Sequence, residues 1–106
     1  MSDDPQITGA PEITDTPAES RFVARIGDSE AELVYRVVGR RLVIVHTGVP
    51  EEFAGHGIGG KLVAAALEKA LEEGLVIVPR CPFATEWLRN HPDEAGKVDV
   101  DWSQTR

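Results

Sequence analysis

Three features of this sequence have residue types and spacing suited to chemistry. The first is Gly55-His56-Gly57-Ile58-Gly59-Gly60, which places four glycines in six positions directly ahead of an amphipathic run. The first backbone N–H groups of a helix have no partner within it. Left uncovered by side chains, they converge on an anion with the positive end of the helix dipole behind them. Phosphate or pyrophosphate suits such a site, and Lys61 adds a charge next to it. Glycines at these positions also serve a tight turn and the close packing of a helix on a sheet, and the loop taken alone leaves both readings open. The second feature is His46, either a base that exchanges protons near neutral pH or a histidine hydrogen-bonded within a sheet. The third is Cys81, framed by Pro79 and Pro82. It is an acid, a nucleophile, or a small buried hydrophobe. Arg80 beside it favours the thiolate where the two side chains converge.

Other arrangements are excluded by spacing. There is no G-x-x-x-x-G-K-[ST] run, so the loop is not a P-loop, and a dinucleotide fold would carry its glycines after the first strand of a parallel sheet. His46, His56 and His91 fall on strand, loop and helix end without ligand spacing, so no metal site is expected. His91 caps a helix or joins Cys81. Tyr35, Trp87 and Trp102 are read as core residues, with either tryptophan able to border a pocket.

These groups need a scaffold, and a chain of 106 residues supplies one domain with one core. Residues 1–20 contain Pro5, Pro11 and Pro17, five acids and no Lys or Arg, with only two isolated isoleucines to bury. The expectation is a disordered acidic tail on a single domain spanning 21–106. The tail accounts for most of the net charge of −7. The remainder is nearly neutral and offers no basic face, which argues against a nucleic-acid partner. The longest nearly apolar run, Leu42 to Val45, is far short of a membrane span, and the amino terminus is acidic where a secretory signal is basic. A single cysteine excludes a disulfide framework. The expectation is a soluble cytoplasmic protein, a monomer or weak homodimer.

Within the domain, Phe22, Ala24 and Ile26 alternate up to a turn at Gly27-Asp28-Ser29. Leu33, Tyr35 and Val37 continue the pattern to a hairpin at Gly39-Arg40. Leu42 to Thr47 is apolar on both faces, as in a central strand covered on each side. Three antiparallel strands thus precede the glycines. After them, Ile58, Leu62, Val63, Ala66, Leu67, Ala70 and Leu71 recur at helical spacing to Gly74. A short strand follows over Leu75 to Val78, then a helix over Phe83 to Asn90 and a last edge strand over Lys97 to Trp102. The fold class expected is α/β in the α+β sense: antiparallel strands, then a β-α-β crossover, in a mixed twisted sheet with two helices.

"GHGIGGKL", after a strand and opening a helix, resembles the acyl-CoA pyrophosphate loop of the GCN5-related N-acetyltransferases, whose pattern is Gln or Arg, two residues, Gly, one residue, Gly or Ala. "HTGVPEEFAGHGIGGKLV" together with "VPRCPF" and "RNHP" resembles the small single-domain branch of that superfamily, over roughly residues 22–95. The resemblance implies a sheet splayed between its fourth and fifth strands, with coenzyme A in the gap. It assigns pantetheine contacts to the strand Ile44 to Val49, through Val45, Thr47 and Val49. Pyrophosphate contacts go to Ala54, Gly55, His56, Gly57, Ile58 and Gly59, with Gly60 and Lys61 adjoining. Ala54 stands where the pattern has Gln or Arg, so one side-chain contribution to the phosphates is missing. The usual substrate-side helices are also absent, which implies an open acceptor pocket. The implied activity is transfer of acetyl from acetyl-CoA to an amine of a small molecule or peptide, with Cys81 and His46 as candidate catalytic groups. The alternative is a non-catalytic acyl-CoA-binding module.

Overall fold

The computed structural model describes residues 12–104. Five strands form one sheet in sequence order: β1 (Ile13–Thr16), β2 (Arg21–Ile26), β3 (Ser29–Val38), β4 (Arg41–Gly48) and β5 (Val76–Pro79). The first four pair antiparallel, and β4 pairs parallel with β5. The crossover between them is α1 (Ile58–Glu73); α2 (Pro82–Asn90) and the one-turn α3 (Pro92–Ala95) follow β5. This is the expected mixed sheet with a β-α-β crossover, with β1 gained at one edge, the last expected strand lost from the other and one more short helix. Among the described residues no helix is long and apolar enough to cross a membrane.

One face of the sheet carries the core. Phe22, Ala24, Leu33, Tyr35, Leu42, Ile44 and Ile77 form a single buried cluster with Ile58, Leu62, Val63, Ala66 and Leu67 of α1 and Ala84 and Leu88 of α2. The three- and four-residue steps of α1 put that stripe on the sheet, although Leu71, expected in it, is exposed. The other sheet face is only partly covered. Val43 is half-buried and Val45 is exposed, so β4 is not the doubly covered strand its composition suggests.

The expectation of a disordered tail over 1–20 is corrected for its second half; residues 1–11 lie outside the described residues. Ile13 to Thr16 add an edge strand to β2 in the register Ile13↔Ala24 to Thr16↔Arg21. Counting apolar residues misses it because polar contacts hold it. Asp15 accepts a hydrogen bond from the Tyr35 hydroxyl at 2.6 Å and one from Lys69 Nζ at 2.9 Å, tying β1 to β3 and to α1. Lys69 also reaches Glu73 at 3.0 Å.

The last expected strand shrinks to one parallel bridge, Ile77↔Val100. Asp101 ends it, accepting both the N–H and the hydroxyl of Ser103 and turning the chain into the 3-10 turn Trp102–Gln104. Those bonds, with Arg41 at 2.6 Å, hold the Asp101 carboxyl down at about 2.

Burial, and then the bond to Asp15, pushes the Tyr35 phenol up to about 12 from its ordinary 10.0. A raised phenol contributes stability in full below pH 10 and loses it as pH climbs from about 10 to about 12. Spectrophotometric titration is expected to show this high midpoint. In Asp15→Ala the midpoint falls toward the ordinary value, and urea unfolding shows a loss of about 1–3 kcal/mol, the cost of leaving a buried hydroxyl without its charged partner.

Candidate functional site

The glycine run divides into two pairs with different work. Gly55 (φ +86°) and Gly57 (φ +77°) occupy the left-handed region, where a side chain is strained, and they shape the loop. Gly59 and Gly60 lie within the first turn of α1, pressed by two aromatic rings of α2. A Cβ on Gly59 would stand 2.6 Å from Phe83 Cζ, and one on Gly60 would overlap the Trp87 indole at Nε1. Tight turn and close packing are thus both present, alongside the geometry of an anion site.

That geometry comes from how α1 begins. Its N-cap is Gly57, with no side-chain cap. The first N–H bonded back into the helix is that of Lys61, to the Gly57 carbonyl at 3.1 Å, so the donors of Ile58, Gly59 and Gly60 lead the helix. Buried Phe53 anchors the loop from the preceding 3-10 turn, Glu51–Phe53. The expected pyrophosphate set is corrected at two places. The Ala54 N–H donates to Glu51 at 3.1 Å and the His56 N–H to Phe53 at 3.3 Å, because the turn consumes them. Lys61 is exposed and borders a separate groove with Asp15, Phe22 and Glu68, so its charge is not in the cleft wall.

The loop forms one wall of a cleft of about 400 Å³. Thr47 of β4 and Val49 just past its end supply the second wall, and Phe83 and Trp87 of α2 the third. The cleft exists because β4 and β5 part. Their pairing runs from Arg41↔Val76 to Ile44↔Pro79, and the Arg80 N–H adds a last bond to the Ile44 carbonyl at 3.1 Å. Beyond it β4 continues to Gly48, while the other chain turns through Cys81 into α2.

An extra residue in β4 decides what faces the cleft. β3 and β4 slip register between Val34 and Tyr35: Tyr35 pairs with Ile44 and Val34 with His46, which leaves Val45 as a bulge. Thr47, opposite buried Leu33, therefore shares the core face. His46 takes the opposite face, exposed, with Nε2 at 3.1 Å from where a Gly48 Cβ would stand. The structure thus does not bring His46 to Cys81, and the Val45 side chain is exposed outside the cleft wall.

Cys81 is buried, 5 % exposed, at the N-cap of α2. Its thiol donates to Thr47 Oγ1 at 3.5 Å. Its carbonyl accepts the Thr85 N–H at 3.0 Å and the Thr85 hydroxyl at 3.1 Å. His91 does not join it. The His91 Nδ1 pairs with the Trp87 carbonyl at 2.7 Å, so it carries the proton, and its ring stacks on the Trp87 indole at 4.0 Å and 15°. Phe83 is the wall residue that sequence reasoning passed over. The signal was Phe83, Trp87 and His91 at four-residue steps, which places them on one helical face.

A family model described as GCN5-related N-acetyl-transferase matches residues 21–98. Protein NATD1 of Gallus gallus is 36% identical over 75 residues, 68% of this chain and 68% of that protein. Protein NATD1 of Homo sapiens is likewise 36% identical, over 68% of this chain and 66% of the human protein. Among solved structures, a GCN5-like protein of Staphylococcus aureus determined by solution NMR superposes with a TM-score of 0.65 at 33% identity, covering 91% of this chain and 96% of its own.

The packing of the glycines on α2 gives a direct test. Gly60→Ala is expected to destabilise by about 1–3 kcal/mol through overpacking against the indole. In the double variant with Trp87→Leu the two losses are non-additive, since the smaller side chain admits the methyl group. Chemical unfolding of the four proteins measures the coupling.

Proposed function

Because the chain belongs to the GCN5-related N-acetyltransferase family, we propose that it is an acetyl-CoA-dependent N-acetyltransferase with its coenzyme in the cleft between β4, the glycine loop and α2. The observation that carries this reading is the pairing of two features in one cleft. One end has a helix start with glycine as its only cap, suited to a diphosphate, and the other has a strand edge freed by the parting of β4 and β5. Between them the side-chain lining is mostly apolar, and the freed strand edge offers main-chain partners for the two amides of a pantetheine arm. The cradle is made of main-chain groups, so Ala54 in place of Gln or Arg removes one phosphate contact and leaves the rest.

In the proposed reaction an acceptor amine attacks the thioester carbonyl carbon, the C–S bond breaks, and the electron pair leaves with sulfur as the coenzyme thiolate. The amine must shed a proton. His46 is the base in this reading, taking the proton from an amine that enters the gap between β4 and β5 from the exposed face of β4, with the thioester on the other side of the strand. Cys81 lies behind Thr47 and away from the cleft wall, which favours direct transfer over an acetyl-cysteine relay. The acceptor is an amine of a small molecule or peptide, met at an open site.

Calorimetry with acetyl-CoA, coenzyme A and a nucleotide lacking pantetheine tests the binding half. Heat with the first two and little with the third is expected; none with any of them removes the proposal. Coenzyme release measured with polyamines, amino acids and peptide amines tests the catalytic half, and binding without turnover would leave an acyl-CoA-binding module. In His46→Ala, kcat is expected to fall about 100-fold with little change in acetyl-CoA affinity. An acetyl group on Cys81 by mass spectrometry after incubation with acetyl-CoA would replace direct transfer with the relay.

A further inference from the structure

The cleft wall is almost free of side-chain polarity. Among its lining residues only Thr47 and Trp87 carry polar side-chain atoms, and the indole nitrogen stands against Gly60 at the loop end. Near β4, Thr47 Oγ1 is the one side-chain hydrogen-bonding group in the lining. Its surroundings fix how it is used. A hydroxyl has one proton to give and two lone pairs that accept. The Cys81 thiol occupies the accepting side from behind, at 3.5 Å. Cys81 is itself buried, and both Thr85 donors hold its carbonyl, so the thiol stays behind Thr47. That contact leaves the Thr47 proton available to an acceptor in the cleft.

We propose that the Thr47 hydroxyl donates the hydrogen bond to the acyl carbonyl oxygen of the bound thioester, and that Cys81 is a positioning residue that sets the direction of that bond. The inference rests on the acetyl-CoA reading above and adds a role for each side chain. With the diphosphate at the loop, the acyl group reaches the β4 end, where a carbonyl oxygen is the acceptor that matches a lone hydroxyl. That oxygen gains negative charge when the amine attacks, so the bond strengthens toward the transition state. Neither Thr47 nor Cys81 gives up its proton. Free coenzyme A lacks the carbonyl, so the same bond separates substrate from product.

The test compares acetyl-CoA with S-ethyl-coenzyme A, a thioether of equal length without the carbonyl oxygen, by calorimetry on the full chain. The wild type is expected to prefer acetyl-CoA about five-fold, the worth of one neutral hydrogen bond. Thr47→Val abolishes the preference, Thr47→Ser keeps it, Cys81→Ser keeps it through its own donor, and Cys81→Ala reduces it. A purely structural role would lower both affinities together and leave their ratio intact. A wild type that binds both ligands without preference, or a preference that survives Thr47→Val, overturns the inference and spares the coenzyme reading. A wild type that binds neither removes both. Infrared spectra of carbonyl-labelled acetyl-CoA give a measurement that needs no variant: the stretch is expected to fall in frequency on binding the wild type, and an unshifted band overturns the proposal.

Discussion

A strand that loses its neighbour on one side must find other partners for the backbone groups this frees. β4 keeps its neighbour as far as Ile44, whose carbonyl takes the final bond of the parallel ladder from Arg80, and the requirement falls on the residues beyond it. The divergence is enforced locally. Pro79 and Pro82 restrict the chain on either side of Cys81, and Pro82 opens α2 in a position where its missing N–H costs nothing. The cleft is therefore a property of the β5 terminus as much as of the glycine loop. α2 closes the gap from its side with Phe83 and Trp87, and His91 holds Trp87 from behind by stacking and by its bond to the Trp87 carbonyl.

Such a site works by subtraction. The loop end of the cleft depends on side chains being absent, with Gly57 as the uncapped start of α1. The wall is mostly apolar, and polarity is confined to main-chain donors and the Trp87 indole nitrogen at one end and a single hydroxyl at the other. A dipole set among apolar groups meets less competition from water than an exposed one, which raises its electrostatic worth. On the proposed reading the direction of one hydroxyl bond matters, and the buried thiol behind Thr47 has a use that needs no thiolate.

Much of this was legible in the sequence, for identifiable reasons. The alternation at Phe22, Ala24 and Ile26 and the helical stripe from Ile58 to Ala70 are patterns set by burial, and burial followed them. The loop could be located because glycines ahead of an amphipathic run have few causes. What escaped was set by contacts between distant residues. The strand Ile13–Thr16 depends on Tyr35 and Lys69, far along the chain. The bulge at Val45 carries no glycine or other local marker. Alternation continued from Leu42 and Ile44 would turn His46 inward and Thr47 outward, and one extra residue exchanges them. That slip is why His46 and Cys81, neighbours by simple counting, lie on different faces while Thr47 takes the place beside the thiol. The donors of Ala54 and His56 were lost to turn bonds, which no composition argument foresees.

The strap formed by β1 bears on where the folding unit starts. Both the alternating pattern and the matched family region begin at Arg21, which invites trimming the chain there. A piece cut at that boundary would lose the carboxylate that joins the Tyr35 hydroxyl to the ammonium of Lys69. The back of α1 would then carry a stranded phenol on one side and an ammonium left with Glu73 alone on the other, on the same helix whose opening turn frames the cleft. The packed structure thus extends past the matched family region on its amino-terminal side, and a cut at that border would remove the polar ties on the half of α1 away from its opening turn.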